Sequence, residues 1–282
     1  MLSMKPSPWM LKLFPEVKNS QAIEGPFTGN VERMLNLKVD LVLYSPYPGE
    51  AEKYRAAGIR TACGFSPKKR PRTLEEYSAN FRRQVVFIGD ILGPEAQQRA
   101  KRYCAYFDNT VNRILARTSK IKPGARPHVY YGGRGGAPLL SQGRASVMYW
   151  NTLVAGGNFL PASMDNNFTE VNMEQIYAWD PDIILLSGWC QSTGIIRNNP
   201  AWSSLRAVRN GKVCLIPEGV FTWDHASCES VLLMIYMAKI FHPELFKDWD
   251  MIEEMKKFYG EIYGRKITDR DAERILKHLG PV

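Results

Sequence analysis

Two stretches of this chain follow one pattern, and together they decide the fold. Residues 39–54 read VDLVLYSPYPGEAEKY, and residues 181–192 read PDIILLSGWCQS. In each stretch an Asp opens a continuous apolar run, which ends at a Ser and a residue that favours turns. Such a run is typical of a strand that is buried on both faces of a parallel sheet.

The similarity extends upstream of both strands. VERMLNLKVDLVLYSP (31–46) aligns with MEQIYAWDPDIILLSG (173–188), which matches Glu32 with Glu174, Asp40 with Asp182 and Ser45 with Ser187. The first half of each segment has the apolar spacing of a helix, and the second half is the strand. Two related helix–strand units predict two related α/β lobes.

Three further segments have the character of strands: GIRTACGF (58–65), HVYYGG (128–133) and KVCLIPEG (212–219). Strands that alternate with helices predict parallel sheets covered by helices on both faces. The predicted fold class is therefore α/β, with two lobes that each contain a parallel sheet.

Helices account for most of the remaining chain. Residues 73–93 are predicted to be helical rather than to contain a strand at QVVFI, because Thr73 and Glu76 have the spacing of a capping box. Pro94 then opens a helix of about 25 residues, which spans roughly 38 Å at 1.5 Å per residue. We predict a first lobe over residues 1–93, this bridging helix over 94–121, and a second lobe over 122–282 that ends in helices.

Composition excludes several classes of protein. The net charge of +9 comes from scattered residues and one cluster, KKRPR (68–72), which we interpret as a solvated loop because no aromatic residues interleave with it. The five cysteines have no CxxC spacing, so neither a zinc motif nor a redox motif is indicated. The N-terminal residues MLSMKPSPWM do not have the apolar core of a signal peptide.

Ligands of open parallel sheets bind beyond the carboxyl ends of the strands. The segments that follow the predicted strands carry aromatic side chains and two polar ones. Aromatic faces stack on flat ligands, and an Arg pairs with a carboxylate or another oxyanion. The predicted ligand-binding residues are Tyr44, Tyr47, Arg134, Trp189, Phe221, Trp223 and His225.

Motifs for catalysis, for nucleotide binding and for a resident metal or cofactor are missing from the sequence. No two histidines, and no His with an acidic residue, have the spacing of metal ligands. The GGRGG segment (132–136) follows a strand but matches neither GxGxxG nor GK[ST], which leaves nucleotide binding as a weak alternative. No nucleophile motif is present, so the sequence favours a binding protein over an enzyme.

The chain resembles the solute-binding proteins of ABC importers in which one long helix joins two α/β lobes. The matching stretches span nearly the whole chain: GNVERMLNLKVDLVLY, TLEEYSANFRRQVVFIGDILG, VNMEQIYAWDPDIILLSG, PAWSSLRAVRNGKVCLIPEGVFTWD and HPELFKDWDMIEEMKKFYGEIYG. The resemblance implies a ligand held between the lobes and no catalysis. It also implies a monomer that works in the periplasm or at the outer face of the cytoplasmic membrane.

The resemblance carries further expectations about ligand and partner. Family members capture ferric siderophores, haem, cobalamin or oxyanions, and a ferric siderophore is our first expectation. Haem would require Tyr44, Tyr47 or His225 to reach the iron. Glu32 matches the family's permease-docking glutamate, and the sequence alone gives no convincing counterpart in the second lobe. We also expect that the family's secretion signal, first strand and first helix are missing from this chain.

A second function class stays open on the sequence. Tetrapyrrole metal chelatases are enzymes with a similar two-lobed frame, and they need a His and an acidic residue together. His225 with Glu218 or Asp224 is the candidate set for that chemistry.

Overall fold

A computed structural model describes residues 5–20, 29–44, 49–64, 70–165 and 169–282. The chain forms two compact units, residues 1–104 and 105–282, and each is described by itself. The boundary between them falls inside the long helix that begins at Pro94. No helix in the described ranges is both long enough and apolar enough to cross a membrane.

The first unit contains a two-stranded parallel sheet and its helices. In chain order its elements are α1 (Pro8–Leu13), α2 (Val31–Asn36), β1 (Leu41–Tyr44), α3 (Glu50–Ala56), β2 (Arg60–Cys63), α4 (Leu74–Leu92) and the start of α5 (Pro94–Thr118). Strand β1 pairs with β2 from Leu41 opposite Arg60 to Tyr44 opposite Cys63. A small core of Met34, Tyr54 and Ile59 lies beneath this sheet.

Helix α4 confirms the choice of helix over strand for residues 73–93. Thr73 Oγ1 accepts a hydrogen bond of 3.1 Å from the Glu76 backbone N–H, as a capping residue should. The Glu76 carboxylate accepts from the Arg72 backbone N–H at 2.6 Å, one residue before the position that a reciprocal capping box would use. Half of the predicted capping box is therefore present. Helix α5 has the predicted 25 residues.

The strands of the second unit are β3 (His128–Gly132), β4 (Leu140–Ser141), β5 (Asn158–Phe159), β6 (Thr169–Glu170), β7 (Ile183–Leu186) and β8 (Val213–Leu215). Four of them form a parallel sheet in the order β5-β3-β7-β8, around which the unit is built. Its helices after α5 are α6 (Val147–Val154), α7 (Met173–Trp179), α8 (Gly194–Arg197), α9 (Arg206–Arg209), α10 (Ser230–Phe241), α11 (Met251–Phe258) and α12 (Asp269–Leu276). The short pair β4–β6 is antiparallel.

The repeated helix–strand unit is present in both halves. Asn30 caps α2 by accepting from the Arg33 backbone N–H, and Asn172 caps α7 in the same way from Gln175. The strands differ, because β7 is buried along its length whereas Leu43 of β1 is 40% exposed. Burial on both faces was therefore predicted correctly for β7 and wrongly for β1.

The Asp that opens the second repeat strand ties neighbouring elements together. Asp182 Oδ2 accepts from the His128 backbone N–H at 2.8 Å, at the start of β3. Its other oxygen pairs with the Arg206 guanidinium at 2.6 Å, at the start of α9. Asp182 thus aligns the amino ends of two adjacent strands, and their carboxyl ends consequently meet at the opposite edge of the sheet.

The C-terminal helices pack more tightly than polar-faced helices would. Nine of the twelve residues of α10 are buried, so this helix belongs to the core of the second unit. Helix α11 continues into one π-helical turn over Tyr259–Tyr263. Helix α12 begins with the predicted pair, and Thr268 and Asp271 form a complete capping box.

Candidate functional site

The candidate site lies within the second unit, where three segments follow adjacent parallel strands. The Gly133–Gly136 turn follows β3, the Gly188–Cys190 turn follows β7, and residues 218–225 come after β8. Because β3, β7 and β8 are neighbours in one sheet, the three segments emerge at the same edge.

Four of the predicted ligand-binding residues come together there. The Arg134 guanidinium lies 5.1 Å from the centre of the Trp189 ring, in a cation–π arrangement. Arg134 Nη1 is 2.6 Å from His225 Nε2. The His225 ring lies 4.9 Å from the Trp189 ring and 5.3 Å from the Phe221 ring, which meets it edge-on at 81°.

The tautomer of His225 follows from its two partners. An Arg side chain has only donors, so His225 Nε2 must accept from Arg134. His225 Nδ1 lies 2.9 Å from Asp224 Oδ1, and it therefore carries the proton and donates to that carboxylate. The imidazole is neutral in this arrangement, with each ring nitrogen engaged.

Asp224 is a fully buried carboxylate with several donors. The Thr222 hydroxyl donates to Oδ1 at 2.6 Å, and the Tyr131 hydroxyl donates to Oδ2 at 2.8 Å. Burial alone would raise the pKa of Asp224, but hydrogen bonds from His225, Ser187 and Thr222 hold that pKa well below its ordinary value. Asp224 is therefore ionised and fixes the imidazole.

A second buried carboxylate holds the backbone of residues 218–225. Glu229, which is 0% exposed, accepts from the Val220 backbone N–H at 3.1 Å and from the Phe221 backbone N–H at 2.8 Å. The Tyr259 hydroxyl, placed by the π-helical turn, also donates to it. Burial raises the pKa of Glu229 to about 7, although these donors oppose the rise.

The acidic residue Glu218 pairs with His278 and not with His225, the partner that a chelatase site would need. Its carboxylate lies 3.4 Å from His278 Nε2, near the C-terminal end of the chain, and burial raises its pKa. Asp224 does contact His225, but it is saturated with donors. Within the described ranges no group of three or more His, Cys, Asp or Glu residues could hold a metal ion.

Two predicted site residues lie elsewhere, and a third is outside the described residues. Trp223 is 0% exposed and meets the Tyr236 ring edge-on in the core, so the structure does not bring it to the Arg134–His225 cluster. Tyr44 ends β1 in the first unit and is half-buried against the small core there. Tyr47 lies outside the described residues, and both tyrosines stay predictions.

The GGRGG segment does not form a nucleotide-binding loop. Its turn leads into the short strand β4, whereas a phosphate-cradling loop opens a helix. Gly133 has a left-handed φ of 94°, and a side-chain carbon there would meet Cys190 Sγ at 2.4 Å. The glycine therefore lets the turn pack against the Trp189 segment, and this turn positions Arg134.

The exposed glutamates of the two repeats occupy equivalent places. Glu32 lies in the first turn of α2, two residues after the cap Asn30, and it is exposed as predicted for a docking residue. Glu174 lies in the first turn of α7, two residues after the cap Asn172, and it is also exposed. The sequence alignment had already paired these two residues.

Comparison with known proteins gives a consistent family. Residues 8–219 match the family described as periplasmic binding protein. The molybdate-binding protein MolA of Haemophilus influenzae is 25% identical over 281 residues, which cover 94% of this chain and 78% of MolA.

Solved structures agree with this assignment. The structure of H. influenzae MolA bound to molybdate superposes with a TM-score of 0.82 at 20% identity, over 93% of this chain and 83% of that one. A periplasmic solute-binding protein from Veillonella parvula gives a TM-score of 0.73 at 27% identity, over 93% and 78% of the two chains.

These matches decide between the two function classes left open by the sequence. The family and the relatives are binding proteins of transporters, so the chelatase-like alternative is not upheld. The α/β fold with parallel sheets is confirmed. The chain belongs to the periplasmic binding protein family and is a solute-binding protein of an ABC importer.

Proposed function

We propose that this protein captures a small tetrahedral oxyanion of the molybdate type and delivers it to the importer's permease. The observation that carries the proposal is the contact between Arg134 and His225 on the Trp189 ring. The Arg fork offers hydrogen-bond donors to neighbouring oxygens of one anion, and the imidazole beside it offers a further donor when Nε2 carries a proton. The similarity to a molybdate-binding protein supports the same class of ligand.

This proposal reverses the order in which the sequence ranked the ligands. A ferric siderophore was the first expectation, and the comparisons do not confirm it. An iron chelate that brings its own ligands needs broad stacking surface, and the burial of Trp223 removes one of the predicted aromatic faces. A chelate with an anionic edge remains the second candidate, because Trp189 and Phe221 flank His225 and could stack on it.

Binding assays distinguish the two candidates. Isothermal titration with molybdate, a ferric hydroxamate and hemin should give saturable heat with molybdate. Replacing Arg134 by Ala should weaken molybdate binding about 30-fold, since losing a charge-assisted pair costs about 2 kcal/mol. Arg144→Ala is the matched control, because Arg144 also lies over an aromatic ring, 5.7 Å from the centre of Tyr149, but outside the three segments.

The outcomes are exclusive. Saturable binding of a chelate without any binding of molybdate would refute the oxyanion proposal and favour the second candidate. Equal losses of affinity in Arg134→Ala and Arg144→Ala would show that Arg134 does not contact the ligand.

We further propose that Glu32 and Glu174 contact the permease. Both residues are exposed at the second position of a short helix, and each helix is capped by an Asn. The double variant Glu32→Ala/Glu174→Ala should no longer stimulate the reconstituted importer, whereas its affinity for the ligand should not change. Glu52→Ala, an exposed glutamate in the first turn of α3, should leave stimulation intact. Loss of ligand affinity in the double variant would contradict a docking role.

A further inference from the structure

His225 is held in a form that an incoming anion cannot use. Its Nε2 lone pair accepts from Arg134 at 2.6 Å, while its Nδ1 proton is directed to Asp224 at 2.9 Å. An oxyanion offers lone pairs and no proton, so it would be repelled by the unprotonated Nε2. The anion would also compete with His225 for the Arg134 donor.

We propose that oxyanion binding is coupled to the uptake of one proton by His225 at Nε2, and that release of the anion returns this proton to water. The inference rests on the proposed function. In the liganded state His225 Nε2–H donates to one oxygen of the anion. The Arg134 Nη1–H, which no longer donates to His225, donates to another oxygen. A new N–H bond forms at Nε2, and the bond that held this proton in the acid form of the buffer breaks.

Charge in the cluster favours the same change. Arg134 and Asp224 carry opposite charges, so the trio with a neutral His225 has no net charge, which gives little attraction for an anion. Protonation makes the trio singly positive. Asp224, which is fully buried and remains ionised, then faces an imidazolium at 2.9 Å, and the Trp189 ring at 4.9 Å adds a cation–π contact.

Other titratable groups surround the imidazole, and proton uptake by them must be distinguished from proton uptake by His225. Glu218 belongs to the same segment as His225, lies 3.4 Å from His278 Nε2, and has a pKa that burial raises. Glu229 holds the backbone of that segment and has a pKa of about 7. The described groups that face His225 or its partners are Tyr131 on β3, Arg134 in the turn after β3, Cys190 in the turn after β7, Glu218 and Asp224 in its own segment, Glu229 before α10, Tyr259 after α11 and His278 after α12.

The number of protons taken up can be measured directly. Titration with molybdate at one pH, in two non-phosphate buffers of different ionisation enthalpy, gives the proton number from the difference in heat. We expect about one proton per site, and an affinity that falls by up to tenfold per pH unit on the alkaline side. His225→Gln keeps a donor but does not titrate, so it should still bind molybdate, with no proton uptake.

Two control variants keep the assignment to His225 sharp. His128→Gln removes an exposed histidine at the start of β3 and should leave the proton number unchanged. Glu229→Gln removes the buried carboxylate, and the uptake should persist in it. Binding with zero proton uptake, or uptake that persists in His225→Gln, would overturn the inference while leaving the oxyanion function standing. If the wild-type protein gives no heat with molybdate, the proposed function fails and the inference fails with it.

Discussion

Replacing Glu229 by Gln tests whether a buried carboxylate supports the ligand segment at a cost in stability. An ordinary glutamate titrates near pH 4.3, and burial raises the pKa of Glu229 to about 7. Between these values the native state holds a proton that the unfolded state has released. Stability from this group is therefore fully present below about pH 4.3 and is lost as the pH rises through about 7.

The size of the effect follows from linkage. Integrated from pH 5 to pH 8, this difference in pKa corresponds to roughly 2 to 3 kcal/mol of unfolding free energy. Gln cannot ionise, so the variant lacks this loss. It carries a separate cost of about 1 to 3 kcal/mol that does not depend on pH, because its amide presents N–H groups to one of the backbone donors, Val220 or Phe221.

Denaturant unfolding at several pH values separates the pH-dependent part of the unfolding free energy from the part that does not depend on pH. The stability of the wild type relative to Glu229→Gln should fall by roughly 2 to 3 kcal/mol between pH 5 and pH 8. Glu253→Gln is the control, since it replaces a carboxylate whose side chain is 63% exposed. Tyr259→Phe removes a donor that lowers the Glu229 pKa, so the steep range should move to higher pH. A difference between wild type and Glu229→Gln that stays constant over this range would refute the reasoning.

Three further substitutions have defined outcomes. Trp223→Ala should lower the unfolding free energy by about 3 to 5 kcal/mol because the ring is fully buried, and a loss under 1 kcal/mol in denaturant unfolding would contradict its place in the core. Gly219→Ala would put a carbon 2.1 Å from Tyr259 Oη and should lower the melting temperature, and a second change of Tyr259 to Phe should restore part of it. Thr268→Ala removes the cap of α12 and should cost about 1 kcal/mol, measured in the same unfolding assay.

The elements that the sequence predicted best are those that local pattern determines. Strand β7 is an unbroken apolar run, and α5 has regular apolar spacing over 25 residues, so both were found with their bounds nearly correct. The rule that ligands bind beyond strand ends was enough to bring Arg134, Trp189 and His225 together. These are consequences of chain order and of the parallel sheet.

What the sequence could not predict depends on which way a side chain turns inside a loop. In EGVFTWDH the residues Phe221 and Trp223 are both aromatic, and nothing in the order of letters shows that only Trp223 enters the core. Asp224 and Glu229 were missed as scaffolding residues because carboxylates are expected at the surface. Their burial is stabilised by donors from β3, from the π-helical turn and from the loop backbone, which are distant in sequence.

The two buried carboxylates solve different problems for one segment. Glu229 accepts from its backbone and so fixes the path of the chain, whereas Asp224 fixes the imidazole of His225. A binding protein has to release its ligand to the permease. If anion binding is coupled to protonation of His225, as we propose, the trio of Arg134, His225 and Asp224 gains a positive charge as the anion binds and loses it on release. In this proposal the site binds the anion reversibly, without a catalytic step.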